Sequence, residues 1–199
     1  MPRPNSLDWK ALKDKHQYPA LSRTRSKAAR PQRQLFPIPT AVEAERDARA
    51  VLSNLRQQVH NVTADQRRSL AFGALRTISP FTFEYAVILC FRELGYKTGD
   101  PTFKNDGGID GKIIDHDGAT ILLQTKRYGP GESRYLVKHL RDYITVVERY
   151  TAQGDAIGGF FLHSGRTGLD ARLLADATDG LVTLFSGDIL LDLLLHTAS

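Results

Sequence analysis

"ILLQTKRY", residues 121–128, is the stretch that decides the fold. Its first half is apolar enough for a strand inside a protein, whereas its second half carries Gln124 and Lys126 two residues apart. In a pleated strand both of these side chains leave from the same face. An interior strand therefore ends with an amide beside an ammonium group. Residues elsewhere in the sequence indicate why the two groups are paired there.

The residues before this strand predict a hairpin. "HDG", residues 116–118, is a turn signal, and a three-residue loop with Gly118 in the left-handed conformation fits it. That loop sets the register so that Asp110 lies opposite Gln124. Asp110, Gln124 and Lys126 are then predicted to share one face at one end of the hairpin.

Three helices are predicted before the hairpin from their start signals. Thr40 with Glu43 and Thr63 with Gln66 are capping-box patterns, each followed by apolar residues at helical spacing. A third helix is predicted in "SPFTFEYAVILCFRELG", where the first serine is the cap and the last glycine ends the helix. We expect the first two helices to pack as a pair.

After this third helix the hydrophobic period becomes that of strands, and the predicted order from residue 79 is α, β, β, β, α, β, α, β, α. The elements after the third helix are an extended segment near 96–103, strands at 109–115 and 119–126, a helix within 133–150, a strand at 156–162, a helix at 168–177, a strand at 181–185 and a helix at 187–196 capped by Ser186. This alternation predicts an α/β fold.

The composition suits one substantial core. The chain has 199 residues, of which 41% are hydrophobic, and its single cysteine, Cys90, lies in an apolar run typical of a small buried residue. No apolar stretch is long enough to span a bilayer, so we expect a cytoplasmic protein without membrane contacts.

The positive charge is concentrated at the N-terminus. Residues 1–35 carry a net charge of +7, whereas the remainder of the chain carries −2. With its prolines this segment predicts a flexible basic arm. Such an arm contacts phosphates or an acidic partner, or it is simply solvated, and the charge alone leaves both interpretations open.

The glycine-rich stretch "NDGGIDG", residues 105–111, supplies two carboxylates, Asp106 and Asp110. We interpret Asp106 as a turn former, with contact to a metal as the alternative. Mg²⁺ prefers oxygen ligands, and a carboxylate, an amide or backbone carbonyl and a substrate phosphate complete its shell. Lys126 then orients water or stabilises charge in the transition state. The structural alternative is a surface ion pair between Lys126 and Asp110.

The segments "SPFTFE", "GY", "DGGIDG", "ILLQTKRY" and "GGFFLHSGRTGLDARLLA" together resemble the Mrr-like branch of the PD-(D/E)XK nuclease superfamily, found in type IV restriction endonucleases, over roughly residues 78–195. The resemblance implies a restriction-endonuclease-like αβββαβ core with a central mixed sheet, preceded here by the helical pair and the basic arm. It also implies DNA cleavage that depends on Mg²⁺, with Mn²⁺ as a substitute.

The resemblance assigns roles to four residues. Asp110 is a metal ligand, Gln124 occupies the second ligand position, Lys126 is the catalytic lysine, and Glu84 approaches the metal. The Glu84 position shares a helical face with apolar residues four and seven positions later, so its carboxylate points away from water and needs a partner. The structural alternative for Glu84 is an acid favoured by the helix dipole.

Arg127, Tyr128, His163 and Arg166 are further candidates for contacts with DNA, since they lie at or just after strand ends near the predicted site. Ordinary loop and strand-end roles are the alternative for all of them. His163 also departs from the family pattern, which has small polar residues there.

The predicted domains are a basic arm at 1–39, a helical extension at 40–77 and a nuclease domain at 78–199. The segment before the nuclease domain lacks the length and strands of a winged-helix module. We predict an endonuclease acting on DNA in restriction or anti-phage defence, as a homodimer or with a partner protein. The alternatives are a junction-resolvase-like nuclease and an inactive DNA-binding or assembly subunit of a defence complex.

Overall fold

A computed structural model of the chain describes residues 38–99, 108–129 and 135–196. Asp106 and almost all of the basic arm lie outside these ranges. The described helices are α1 (Ala41–Gln58), α2 (Ala64–Thr77), α3 (Pro80–Glu93), α4 (Leu136–Ala152), α5 (Leu169–Asp176) and α6 (Gly187–Leu195). The described strands are β1 (Lys97–Thr98), β2 (Gly111–Ile114), β3 (Thr120–Lys126), β4 (Gly158–His163) and β5 (Val182–Phe185). None of the described helices is both long and apolar enough to cross a membrane.

The five strands form one mixed sheet in the order β1-β2-β3-β4-β5. The first three strands are antiparallel, whereas β3, β4 and β5 run parallel. Because parallel neighbours need crossover connections, α4 and α5 link β3 to β4 and β4 to β5. The predicted α/β fold with its order of helices and strands is confirmed.

Helices cover both faces of the sheet. One apolar cluster, here called the first core, joins α1, α2, α3 and α6 to residues such as Ile121 and Leu123 of β3. The other cluster, the second core, joins α4 and α5 to Leu122 and Tyr128. Neighbouring residues of β3 therefore belong to different cores, as the alternation of side chains along a strand requires.

The predicted helix starts agree with the structure in all but one case. Thr40 and Thr63 form the two predicted capping boxes, and the Ser79 hydroxyl accepts a hydrogen bond from the backbone N–H of Thr82 at 2.9 Å. Ser186 occupies the predicted N-cap position of α6, but its side chain makes no cap hydrogen bond. Its Oγ instead accepts from the Thr167 hydroxyl at 2.6 Å.

Helix α4 packs unusually close to the sheet at one glycine. A Cβ atom added to Gly159 of β4 would overlap the Tyr143 hydroxyl and lie 2.6 Å from Cγ2 of Val147. The missing side chain lets Tyr143 reach across and donate a hydrogen bond to the backbone oxygen of Leu122 at 2.8 Å. This close contact fixes the position of α4 over β3.

Candidate active site

The β2–β3 hairpin brings Asp110 and Gln124 together. The paired register runs from Gly111 opposite Leu123 to Ile114 opposite Thr120, and the backbone N–H of Asp110 donates to the oxygen of Leu123 at 2.9 Å. The Gln124 amide donates a hydrogen bond to Oδ2 of Asp110. The predicted register is confirmed.

Thr125, between the two predicted site residues of β3, was missed by the sequence analysis. Its backbone N–H donates to Oδ2 of Asp110 at 2.7 Å, and its hydroxyl donates to the same oxygen at 3.0 Å. With the Gln124 amide, three donors meet at one carboxylate oxygen. Thr125 is 4% exposed, and a hydroxyl near the end of a buried strand was the available signal.

Lys126 lies on the face of β3 that α4 covers. Leu122 and Tyr128 pack in the second core, so Gln124 and Lys126, which lie between them at intervals of two residues, face the same side. Gln124 is buried and Lys126 is half-buried. The amide and ammonium groups therefore lie at the edge of the interior, where the strand leaves the sheet.

Glu84 reaches the same region from α3, on the opposite side of the sheet. It is half-buried, and burial together with the negative charge of Asp110 raises its pKa to about 8, whereas the Lys126 ammonium opposes that increase. A carboxyl group affected by both residues lies within their electrostatic range. The structure thus brings all four of the predicted catalytic residues into one region.

The four candidate DNA contacts differ in accessibility. Arg166 is exposed, and Arg127 donates to the backbone oxygen of Arg76 at the end of α2 at 3.0 Å. Tyr128 is 5% exposed and His163 is fully buried. A side chain in the interior does not reach DNA without rearrangement, so Arg166 is the most accessible of the four.

His163 has an interior hydrogen-bond network instead. Nδ1 of its ring accepts from the backbone N–H of Gly165 at 3.2 Å, and Nε2 lies 3.2 Å from the Thr167 hydroxyl. Burial lowers the pKa of His163 to about 3, so the ring is neutral at physiological pH. These contacts organise the loop that follows β4.

The candidate site offers mainly oxygen donors to a metal. Within the described ranges, no three His, Cys, Asp or Glu side chains form a metal-binding group. The carboxylates available are those of Asp110 and Glu84. The amide nitrogen of Gln124 lies against Oδ2 of Asp110 and 3.4 Å from the backbone oxygen of Thr125. Oδ2 of Asp110 and the backbone oxygen of Thr125 therefore both face the amide nitrogen of Gln124.

A mixed sheet between two helical layers, with a carboxylate, an amide and a lysine at one end of its central hairpin, defines a protein of the restriction-endonuclease fold. The family model of the Mrr catalytic domain, described as restriction endonuclease, matches residues 75–194. The chain belongs to this family.

Two solved structures are similar to the chain at 18% identity each. The restriction endonuclease MspJI, in complex with a 27-mer oligonucleotide, matches 80% of this chain and 34% of its own length with a TM-score of 0.39. The DNA modification-dependent restriction endonuclease AspBHI matches 96% of this chain and 44% of its own with a TM-score of 0.41. The chain spans less than half of either protein. No curated protein matches it significantly.

Proposed function

We propose that this protein hydrolyses phosphodiester bonds of DNA with Mg²⁺, or Mn²⁺ in its place, as a cytoplasmic nuclease of restriction or anti-phage defence. The observation that carries the proposal is that Asp110, Gln124 and Lys126 lie together at the open end of the β2–β3 hairpin. Membership of the Mrr catalytic-domain family supports the same chemistry.

The donor set fits a hard divalent cation. Asp110 Oδ2 and the backbone oxygen of Thr125 already converge on the Gln124 amide nitrogen, and rotating that amide by half a turn exchanges its nitrogen and oxygen. Asp110, Gln124 and Thr125 would then present three oxygens, and Glu84 would add a second carboxylate once the cation displaces its proton. Oxygen ligands of this kind suit Mg²⁺ and Mn²⁺. When bound, the cation lowers the pKa of a water ligand and neutralises charge on the phosphodiester.

The chain's own residues would position and stabilise the reacting groups. Water releases one proton to solvent as its oxygen bonds to phosphorus, one ester P–O bond breaks, and the departing oxygen takes a proton from solvent. The Lys126 ammonium orients the attacking water or stabilises the charge that develops on the phosphoryl oxygens. Asp110 keeps the backbone N–H and the hydroxyl of Thr125 as donors when the Gln124 amide rotates, so its carboxylate does not have to reorganise during the reaction.

DNA is the proposed partner, and target choice comes from outside the candidate site. The helical pair α1 and α2 is part of the first core, and the chain spans less than half of the two solved restriction enzymes. A second copy of this chain or a partner protein would supply the remaining recognition surface.

The deciding experiment is a cleavage assay on plasmid DNA with unmodified or modified cytosines and on branched junctions, with Mg²⁺, Mn²⁺ or chelator. We expect products from plasmid only with a divalent metal, and none from Asp110→Asn. Cleavage confined to junctions would establish the resolvase-like alternative. A folded parent protein that binds DNA but cuts no substrate, alone or with its natural partners, would instead be a binding or assembly subunit.

Gln124→Glu tests whether the amide lies at a metal site. In the metal-free protein the new carboxylate would face Oδ2 of Asp110 and destabilise the fold through like-charge repulsion. A bound cation would relieve that repulsion. We therefore expect Mg²⁺ to raise the melting temperature of Gln124→Glu more than that of the parent. An equal or smaller increase would contradict the assignment of Gln124 as a metal ligand.

A further inference from the structure

Tyr128 is buried, and its hydroxyl positions a histidine. The backbone N–H of Tyr128 donates to Oγ of Ser164 at 2.9 Å, and the edge of its ring contacts His163. The Tyr128 hydroxyl is hydrogen-bonded to Nδ1 of His139 at 2.8 Å, and the two rings are parallel to within 3°. The His139 ring of α4 is therefore oriented by a buried and fully anchored residue.

Two contacts of α4, one with β3 and one with Tyr128 just after this strand, place His139 beside the candidate site. Tyr128 contacts His139, and the Leu122 oxygen accepts from Tyr143 one helical turn later. Gln124 and Lys126 lie between these two contacts on the same face of the strand. The positive charge of Lys126, after burial, contributes to lowering the pKa of His139, as expected for neighbouring groups.

The other ring nitrogen of His139 is available for a ligand. In the described part of the chain no hydrogen bond involves Nε2 of this ring, and His139 is only partly buried. A neutral imidazole carries one proton, and if the Tyr128 hydroxyl donates to Nδ1 the proton is on Nε2. The group offered near Lys126 is then an N–H donor.

We propose that His139 is a further residue of the active site, whose Nε2–H donates a hydrogen bond to a non-bridging oxygen of the scissile DNA phosphate, with Tyr128 as the positioning residue. The proposal rests on the proposed function. A neutral donor adds a contact without placing a second cation next to Lys126. Negative charge accumulates on the phosphoryl oxygens in the transition state, so this hydrogen bond strengthens as the reaction proceeds.

The test is single-turnover cleavage of the DNA that the parent cuts. We expect His139→Ala to react about 10- to 100-fold more slowly, the effect of losing one hydrogen bond to a charged acceptor. His139→Gln retains an N–H donor and should recover much of the rate. Tyr128→Phe should be slower by a smaller factor, and the double variant Tyr128→Phe/His139→Ala no slower than His139→Ala, because the two residues act as a unit.

DNA affinity measured with Ca²⁺, which we use as a non-cleaving metal, separates binding from chemistry. Because the His139 contact is one phosphate contact among many, its loss should change DNA affinity little. His116→Ala is the matched control, since His116 lies in the turn at the other end of the hairpin. Melting temperatures identify variants that fail to fold.

The proposal is overturned if folded His139→Ala cuts at the parental rate, which would leave His139 only the role of satisfying the buried Tyr128 hydroxyl. If His139→Ala does not fold, parental rates in both His139→Gln and Tyr128→Phe overturn it equally. A parent protein that cuts no DNA with any metal would instead refute the proposed function, and this proposal with it.

Discussion

Each end of the β2–β3 hairpin has an aspartate directly beside the strand ladder, Asp115 at the turn end and Asp110 at the open end, but the hydrogen-bond partners of the two carboxylates come from different parts of the chain. At the turn end, Oδ1 of Asp115 accepts from the backbone N–H groups of Asp117 and Ala119 at 3.0 and 2.8 Å. At the open end, Asp110 accepts from Gln124 and Thr125, which follow it by 14 and 15 residues.

The difference shows how a carboxylate becomes part of a site. Asp115 is satisfied by its own turn, so its charge serves local structure. Asp110 is held by the neighbouring strand, and it lies within electrostatic range of Glu84 from α3 and Lys126 from β3. Charged groups from α3, β3 and the start of β2 converge at the open end, and that convergence is why we propose this end as the site for a cation and a phosphate.

The largest expected effect is on the cleavage rate, when the aspartate at each end of the hairpin is replaced by asparagine. Asp110→Asn keeps an oxygen acceptor for the three donors, so the fold should persist, but a neutral amide binds Mg²⁺ poorly. We expect cleavage to fall by about a thousand-fold or more, the rate equivalent of several kcal/mol. Asp115→Asn, the same change at the turn end, should leave the rate unchanged. Equal rates for both variants would remove the distinction between the ends.

Lysines on adjacent strands give the second comparison. Lys126→Ala should lower the single-turnover rate by about a hundred-fold or more, as expected for loss of a preorganised charge-stabilising group. Lys112 of β2 is exposed, with its ammonium 5.0 Å from the ring centre of Tyr150. Lys112→Ala should therefore cut like the parent. A similar loss in both variants would point to general attraction of DNA by positive charge.

Substitutions of Thr125 test whether a donor to Asp110 affects metal binding at the open end. Thr125→Val removes the hydroxyl that donates to Asp110 and keeps the side-chain shape. We expect metal affinity, measured from the Mg²⁺ dependence of the rate, to weaken by about 10- to 100-fold, as for other residues that orient metal ligands. Thr125→Ser retains the donor and should restore it. Identical Mg²⁺ dependence in Thr125→Val and the parent would restrict this hydroxyl to a packing role.

The smallest effect is expected at the turn end. Gly118 has a φ of 86°, and a Cβ atom there would meet nothing within 4 Å. Gly118→Ala should lower the free energy of unfolding by about 1–2 kcal/mol through backbone strain alone. Its rate of cleavage, corrected for the folded fraction in denaturant melts, should equal that of the parent. A reduced rate would show that the turn transmits strain to the site.

Several features of the fold were predictable because their causes are local. The capping boxes at Thr40 and Thr63 involve residues three positions apart, and the turn at Gly118 involves consecutive residues. The register of Asp110 against Gln124 follows from the turn length and the alternation of side chains. The side-chain cap predicted at Ser186 is absent, and the Ser186 hydroxyl instead accepts a hydrogen bond from Thr167, a residue 19 positions away.

The burial of residues at strand ends was not predictable in this way. Tyr128 follows β3 and His163 ends β4, positions where solvent exposure is common. The sequence pattern does not indicate which helix covers them, although both are buried. In the structure Tyr128 packs in the second core and contacts His139 of α4. The candidate DNA-facing group on this side of the site is therefore His139.

The sequence by itself determined the order of helices and strands, the hairpin register and the face on which Gln124 and Lys126 lie, because periodicity, caps and turns act over a few residues. The family resemblance had implied that Glu84 approaches this end of the hairpin, as the structure shows. Only the tertiary structure decided that Thr125 holds Asp110 and that Tyr128 holds His139. These contacts depend on how α3 and α4 pack on opposite faces of the sheet. That packing is set by the fit of two separate apolar cores and not by any one segment.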